Sequence, residues 1–247
     1  MTEYDAEMVK RLADLSALAY EDEAHIKCSI GSCESFDEAD TQAVLTRSDE
    51  FDLLAFRGTE PTNWNDWKTD LKIVREKYQF GSLRSGKIHR GFKNAIDHVR
   101  DRIDEARQTD PDRRIYVTGH SLGGSLAVLW AASQSEHPKR IAGVYTFGAP
   151  RVGTSAFARC YDELFKERTF QFQNRLDMVP KVPNRYFWRH VGHALYFDAD
   201  GTLHWNPSYW FCKFVDARAN YQKRNVSPKA WVGDHSMKEY RERVETL

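Results

Sequence analysis

Gly119-His120-Ser121-Leu122-Gly123 sets one hydroxyl between two glycines, where the strand-like run Ile115 to Thr118 gives way to the apolar stretch LAVLWAA. This is a G-x-S-x-G pattern with a strand before it and a helix after it, the context in which a serine is held on a tight strand-to-helix turn. On such a turn, Cβ atoms two residues to either side collide with the flanking chain, which gives Gly119 and Gly123 a steric reason. The turn places the Ser121 oxygen near the positive end of a helix dipole and leaves the Leu122 N–H free to donate to a developing oxyanion. The chemistry these residues could do is nucleophilic attack on an acyl carbon. An N-cap serine opening the helix of any βα unit has the same local sequence, so the pentapeptide alone does not separate the two readings.

A serine hydroxyl needs a base, and the base an orienting acid. In the chain order serine, acid, histidine, the histidines available after Ser121 are His137, His190, His193, His204 and His235. His137 lies at the exit of the helix that Ser121 opens, on the wrong side of a sheet. His204 sits in a hairpin strand, where packing is the plainer role, and His190 and His193 follow closely on the candidate acid. His235, in VGDHSMKEY at a loop-to-helix junction beyond the last strands, suits the base. Asp177 suits the acid, because NRLDMVP follows the strand-like TFQFQ, where a loop leaves the C-terminal edge of the sheet and open α/β sheets keep their sites. Asp234, next to His235, reads as a cap for the following helix, since adjacent side chains rarely face each other.

The surrounding elements must bring these residues to one edge. Met8, Leu12, Leu15 and Ala19 make one stripe of an N-terminal amphipathic helix. Residues 42–47 and 51–56 read as a hairpin, 61–87 as an irregular connection, and Phe92, Ile96, Val99 and Ile103 as a helix face. From Ile115 onward strands alternate with helices: strand, helix to about Ser135, strand Ile141 to Phe147, helix Ser155 to Lys166, strand Thr169 to Gln173. That alternation implies right-handed crossovers and a mostly parallel sheet flanked by helices. A second hairpin turns at Asp200-Gly201, and a helix spans about Asp234 to Val244. No repeat or linker interrupts the chain, so one α/β domain over residues 1–247 is expected.

Composition narrows the partners. Lys+Arg and Asp+Glu are equal at 36 each, so no net field draws in nucleic acid or an anionic membrane. The longest dense apolar run, Leu126 to Ala132, is far too short for a transmembrane segment. The first residues lack the basic start and apolar centre of a secretory signal, so a cytoplasmic location is expected, with Cys28, Cys33, Cys160 and Cys212 as free thiols. A Cys28–Cys33 disulfide is the alternative for a chain whose leader has been removed.

Several stretches together resemble the class 3 lipases, the fungal-type triacylglycerol lipases and their bacterial relatives: AFRGT (55–59), NDWKTDL (65–71), IHRGF (88–92), VTGHSLGG (117–124), YTFGAPRVG (145–153), NRLDMVP (174–180) and GDHSMKEY (233–240). They occur in the family's order. The resemblance implies an α/β-hydrolase fold, with Ser121 as nucleophile, Asp177 as acid and His235 as base. It also implies an oxyanion hole shared by the N–H groups of Thr59 and Leu122, with Asp70 supporting the Thr59 hydroxyl when a lid opens. The implied reaction is hydrolysis of carboxylic esters of lipids through an acyl-serine, with no cofactor and no metal.

The lid segment, about residues 60–72, departs from an interfacial lipase. Trp64, Trp67 and Leu71 give a narrow apolar stripe amid polar neighbours, where a broad apolar face is the norm. Such a stripe closes over the site and docks transiently on a lipid interface, or simply packs. Short-chain or soluble esters are therefore expected substrates beside lipids, and an acyltransferase using the same triad is the competing reading, since the triad does not fix the acyl acceptor.

Overall fold

The computed structural model describes residues 4–21, 33–58, 74–81, 84–108, 110, 112–222 and 233–247. Thr59, the lid segment with Trp64, Trp67 and Asp70, and Cys28 lie outside the described residues. The described strands are β1 (Cys33–Glu38), β2 (Thr41–Arg47), β3 (Asp52–Phe56), β4 (Arg75–Phe80), β5 (Arg84–His89), β6 (Ile115–His120), β7 (Ile141–Phe147), β8 (Thr169–Asn174), β9 (His193–Phe197) and β10 (Leu203–Trp205). The described helices are α1 (Ala6–Leu18), α2 (Arg90–Ala106), α3 (Leu122–Ser133), α4 (Ser155–Phe165), α5 (Tyr209–Gln222) and α6 (Met237–Val244).

Eight strands form one sheet in the order β1-β2-β3-β6-β7-β8-β9-β10. The pairs β3–β6, β6–β7, β7–β8 and β8–β9 are parallel, while β1–β2, β2–β3 and β9–β10 are antiparallel, so a parallel centre has antiparallel edges. The expected α/β architecture is present. Period-two alternation explains how one sheet serves two cores. Leu54 and Phe56 of β3 face a core with Phe92, Ile96, Val99 and Ile103 of α2, most of α3, and Phe157, Tyr161 and Phe165 of α4. Leu53 and Ala55, with Phe147, Phe172 and Phe197, face Met8, Val9, Leu12 and Leu15 of α1 and Met237, Tyr240 and Val244 of α6.

Helix α3 is buried at every residue from Gly123 to Ala132, which is why its sequence is apolar all round rather than striped. A buried helix of this kind fixes the turn at its N-terminus, where Ser121 sits.

One region differs from the sequence expectation, and two further elements carry no pattern that the sequence reading assigns. Residues 75–80 and 84–89 are not irregular: β4 and β5 pair antiparallel as a separate two-stranded sheet, with Glu76 among its inward residues, 3.5 Å from Lys93 Nζ. Its charged composition hides the strand alternation. Strand β1 buries little besides Phe36, and α5 turns Trp210 and Phe214 outward, so neither carries an ordinary amphipathic pattern. Cys33, Cys160 and Cys212 are free thiols.

Candidate active site

The turn after β6 holds Ser121 at φ 56°, ψ −128°, a region that L residues avoid. The glycines around it are there for space. A Cβ on Gly119 would lie 2.4 Å from the Gly123 carbonyl group, one on Gly123 2.1 Å from the Phe56 oxygen, and one on Gly124 2.7 Å from Ala149 Cβ. The turn is over-determined by this packing and by the Ser121 N–H, which donates to the Phe147 carbonyl at 2.9 Å. Leu122 is the first residue of α3, so its N–H has no intrahelical acceptor and remains for another use.

Backbone strain of this kind costs about 1–3 kcal/mol, whereas glycine elsewhere in a regular element is worse than alanine by about 0.5–1 kcal/mol. At position 121 the order should invert. Ser121→Gly is expected to melt about 2–8 °C above Ser121→Ala in thermal unfolding, the shift corresponding to about 1–2 kcal/mol for a chain of this size. Equal melting temperatures would mean that the turn is not strained.

Asp177 follows β8 and His235 precedes α6, so both reach the same C-terminal edge of the parallel strands as Ser121. The three side chains meet. His235 Nε2 lies 2.9 Å from Ser121 Oγ, and His235 Nδ1 lies 2.8 Å from Asp177 Oδ2. All are buried, with Ser121 and Asp177 wholly out of solvent. An ionised carboxylate only accepts, so Nδ1 carries the proton, and Nε2 of the neutral ring is left to accept from the Ser121 hydroxyl.

The carboxylate is fixed from three directions. Val179 N–H donates to Oδ1 at 2.8 Å, while the Tyr240 hydroxyl donates to Oδ2 at 2.7 Å beside His235. Burial and the charge of Asp177 push the Tyr240 phenol well above its ordinary range, which keeps it a donor. The same hydroxyl accepts from the Asn174 N–H at 2.9 Å. Gly148, at φ 63°, makes the cluster possible: a Cβ there would stand 2.8 Å from Asp177 Oδ2 and 3.1 Å from His235 Nδ1.

The loop that carries His235 is held by further contacts. His120 Nε2 lies 2.6 Å from the His235 carbonyl, which can only accept, so Nε2 bears the hydrogen and Nδ1 accepts from the Tyr20 hydroxyl at 2.8 Å. Burial first, and the adjacent His235 second, hold His120 well below the ordinary imidazole range, so it stays neutral. Its ring centre lies 4.6 Å from that of His235. Asp234 corrects the sequence expectation: the N-cap of α6 is Ser236, whose side chain accepts from the Glu239 N–H, while Asp234 Oδ2 accepts from the Leu176 N–H at 3.1 Å. Asp234 therefore ties the base loop to the acid loop.

Of the residues expected from the sequence, Ser121, Asp177, His235 and Leu122 come together here. His204 is engaged by Asp198 at 2.8 Å, and His190 by the Pro180 carbonyl at 2.8 Å, away from Ser121. Tyr20, His120, Gly148 and Tyr240 join the site with no sequence signal that marks them, although the last three lie inside the motifs of the resemblance. Among the described residues, no group of three or more His, Cys, Asp or Glu is arranged to hold a metal ion, and no helix is long and apolar enough to cross a membrane.

The family described as Lipase (class 3) matches residues 53–187. A secreted mono- and diacylglycerol lipase of Malassezia restricta is 34% identical over 158 residues, covering 60% of this chain and 50% of its own. A lipase of Rhizomucor miehei is 30% identical over 184 residues, covering 69% of this chain and 45% of its own. The chain thus spans half or less of the length of these relatives. The solved lipase of Rhizopus microsporus var. chinensis superposes with a TM-score of 0.65 at 25% identity, covering 77% of this chain and 74% of that one. The fold is the α/β-hydrolase fold. The Malassezia relative is named as secreted, so the expected cytoplasmic location finds no support here.

Proposed function

The chain belongs to the class 3 lipase family, and from that premise we propose that it hydrolyses carboxylic esters, those of lipids included, through an acyl-serine at Ser121. The observation that carries this reading is the buried chain of contacts from Ser121 Oγ to His235 Nε2 at 2.9 Å and from His235 Nδ1 to Asp177 at 2.8 Å. His235 takes the Ser121 proton as Oγ attacks the ester carbonyl, and Asp177 stabilises the imidazolium that forms. The carbonyl oxygen becomes an oxyanion that accepts from the Leu122 N–H, and in this reading from Thr59 as well. Collapse releases the alcohol, which receives the proton from His235. Water then attacks the acyl-serine with the same histidine as base, and the acid leaves. The roles of Asp70, Trp64 and Trp67 at a lid over residues 60–72, and a single domain over residues 1–247, belong to the same proposal.

Ester hydrolysis in a panel of p-nitrophenyl esters from acetate to palmitate tests it. Wild type is expected to turn over at least one chain length and Ser121→Ala to lose nearly all of that turnover. Equal inactivity of both on every ester would overturn the reading. Turnover that rises sharply above the solubility limit of the longer esters would assign a lipid interface to the substrate, whereas a maximum at acetate or butyrate would assign soluble esters. Transfer of the acyl group to added alcohol in preference to water would make the protein an acyltransferase.

A further inference from the structure

Beside the candidate site, the surface carries aromatic side chains that the chemistry above does not use. Trp210 is 76% exposed, Phe214 66%, Tyr186 79% and Phe187 58%. Trp210, Phe214 and Ala217 fall at i, i+4 and i+7 on α5 and share its outward face, with Lys213 and Arg218 exposed beside them. The opposite side of α5 is pinned. Asp216 is buried, accepts from the Tyr196 hydroxyl of β9, and lies 3.9 Å from Lys181 Nζ. Lys181 ends the turn Val179–Lys181, which starts two residues after Asp177, and Met178 between them is 39% exposed. Helix α5 thus stands next to the segment that leaves the acid. The Arg185 guanidinium lies 4.1 Å from the Tyr209 ring centre and joins the 185–187 segment to the start of α5.

The charge of this face is one-sided. Within 178–190 and 203–218 the cations are Lys181, Arg185, Arg189, Lys213 and Arg218, against the single carboxylate of Asp216, which is buried and already bonded. The rest of the chain leans the other way, with 31 cations against 35 carboxylates, since the whole has 36 of each. Scattered exposed apolar residues are ordinary. An array of Trp, Tyr and Phe interleaved with Lys and Arg has the composition of segments that lie at a membrane–water boundary. A second copy of the chain fits less well, because a two-fold pairing of this face would set its cations against themselves.

We propose that this face docks the protein on an anionic lipid interface, with Trp210 and Phe214 entering the headgroup region and Arg185, Lys213 and Arg218 meeting its negative charge. The docking is separate from any movement over residues 60–72. Its purpose rests on the hydrolase reading, since it brings the acid loop to the interface where lipid esters reside, but docking itself is measurable without turnover.

The test is cosedimentation of the full chain, as Ser121→Ala so that no lipid is consumed, with vesicles of phosphatidylcholine alone and of phosphatidylcholine mixed with phosphatidylglycerol. The mixed vesicles are expected to bind at least about tenfold more tightly, with a preference that fades as salt is raised. Arg185→Glu with Lys213→Glu should remove that preference, each cation near an anionic surface being worth roughly fivefold. Trp210→Ser with Phe214→Ser should weaken binding to both vesicle types, while the same pair in the wild-type background leaves turnover of a soluble ester unchanged and so reports an intact fold. Equal binding to the two vesicle types, or binding that ignores either pair, overturns the proposal. So does self-association in sedimentation velocity that the Trp210/Phe214 pair abolishes while vesicles are ignored. Vesicle binding as expected, together with no ester turnover by wild type, would sink the hydrolase reading and leave the docking face standing.

Discussion

Ser121→Ala is expected to lower kcat by about 10⁵–10⁶, and His235→Ala by a similar factor, while the double variant falls no further than either alone. The reason is geometric. Ser121 Oγ has one base, His235 Nε2 at 2.9 Å, and the pair is buried, so bulk water cannot take over the proton once either partner is gone. Residues that act as one unit lose their whole effect with the first deletion. Residual turnover should come from substrate binding and the oxyanion donors, which both variants keep. Multiplicative losses in the double variant would show that the two residues act independently. A p-nitrophenyl phosphonate adds an independent readout: it should label wild type once, at Ser121, and label neither variant.

Asp177→Asn should cost about 10⁴ in kcat. The surroundings dictate which way the new amide points. Val179 N–H is a fixed backbone donor to Oδ1, whereas the Tyr240 hydroxyl at Oδ2 can turn and accept, so the amide oxygen stays at Oδ1 and the NH₂ group falls at the position of Oδ2, facing His235 Nδ1. An NH₂ group donates, so His235 is driven to the tautomer with its proton on Nε2, and that nitrogen can no longer accept from Ser121. Tyr240→Phe makes the contrast. It removes one donor from Asp177 but leaves His235 and Val179, so kcat should stay within about tenfold of wild type. Because it also orphans the buried Asn174 N–H, stability should fall by about 1–3 kcal/mol. If Tyr240→Phe lost as much activity as Asp177→Asn, the tautomer argument would be wrong and the phenol would have a direct part in the chemistry.

Much of this site is legible in the sequence because each part answers a local demand. Gly119 and Gly123 reveal a turn that leaves no room for a Cβ, and the strand-helix alternation around them fixes which sheet edge the serine, acid and base must share. What stays hidden depends on contacts between distant segments. Nothing in the pattern around Tyr20 announces a partner 100 residues away in His120, nor that His120 would hold the His235 carbonyl. Gly148 reads as a turn glycine until Asp177 and His235 are seen packed over it. Helix α5 escapes the periodicity rule for a different reason: Trp210 and Phe214 point to solvent and a buried carboxylate anchors it, the reverse of the usual amphipathic arrangement. The charged pair β4–β5 is masked likewise, by an inward Glu76 bound to Lys93.

The reach of the contacts that close the site has a consequence for synthesis. Tyr20 bonds across 100 residues, Ser121 across 114 to His235, and Asp177 across 58 to His235 and 63 to Tyr240. Contacts of such high order form late, because loop closure must precede any gain from them. A nascent chain that has completed β6, α3 and β7 already owns the contacts of its strained serine turn, yet it has no base. Hydrolytic competence therefore cannot build up gradually on the ribosome; it arrives in one step, when the segment from His235 to Tyr240 emerges and closes against His120, Ser121 and Asp177.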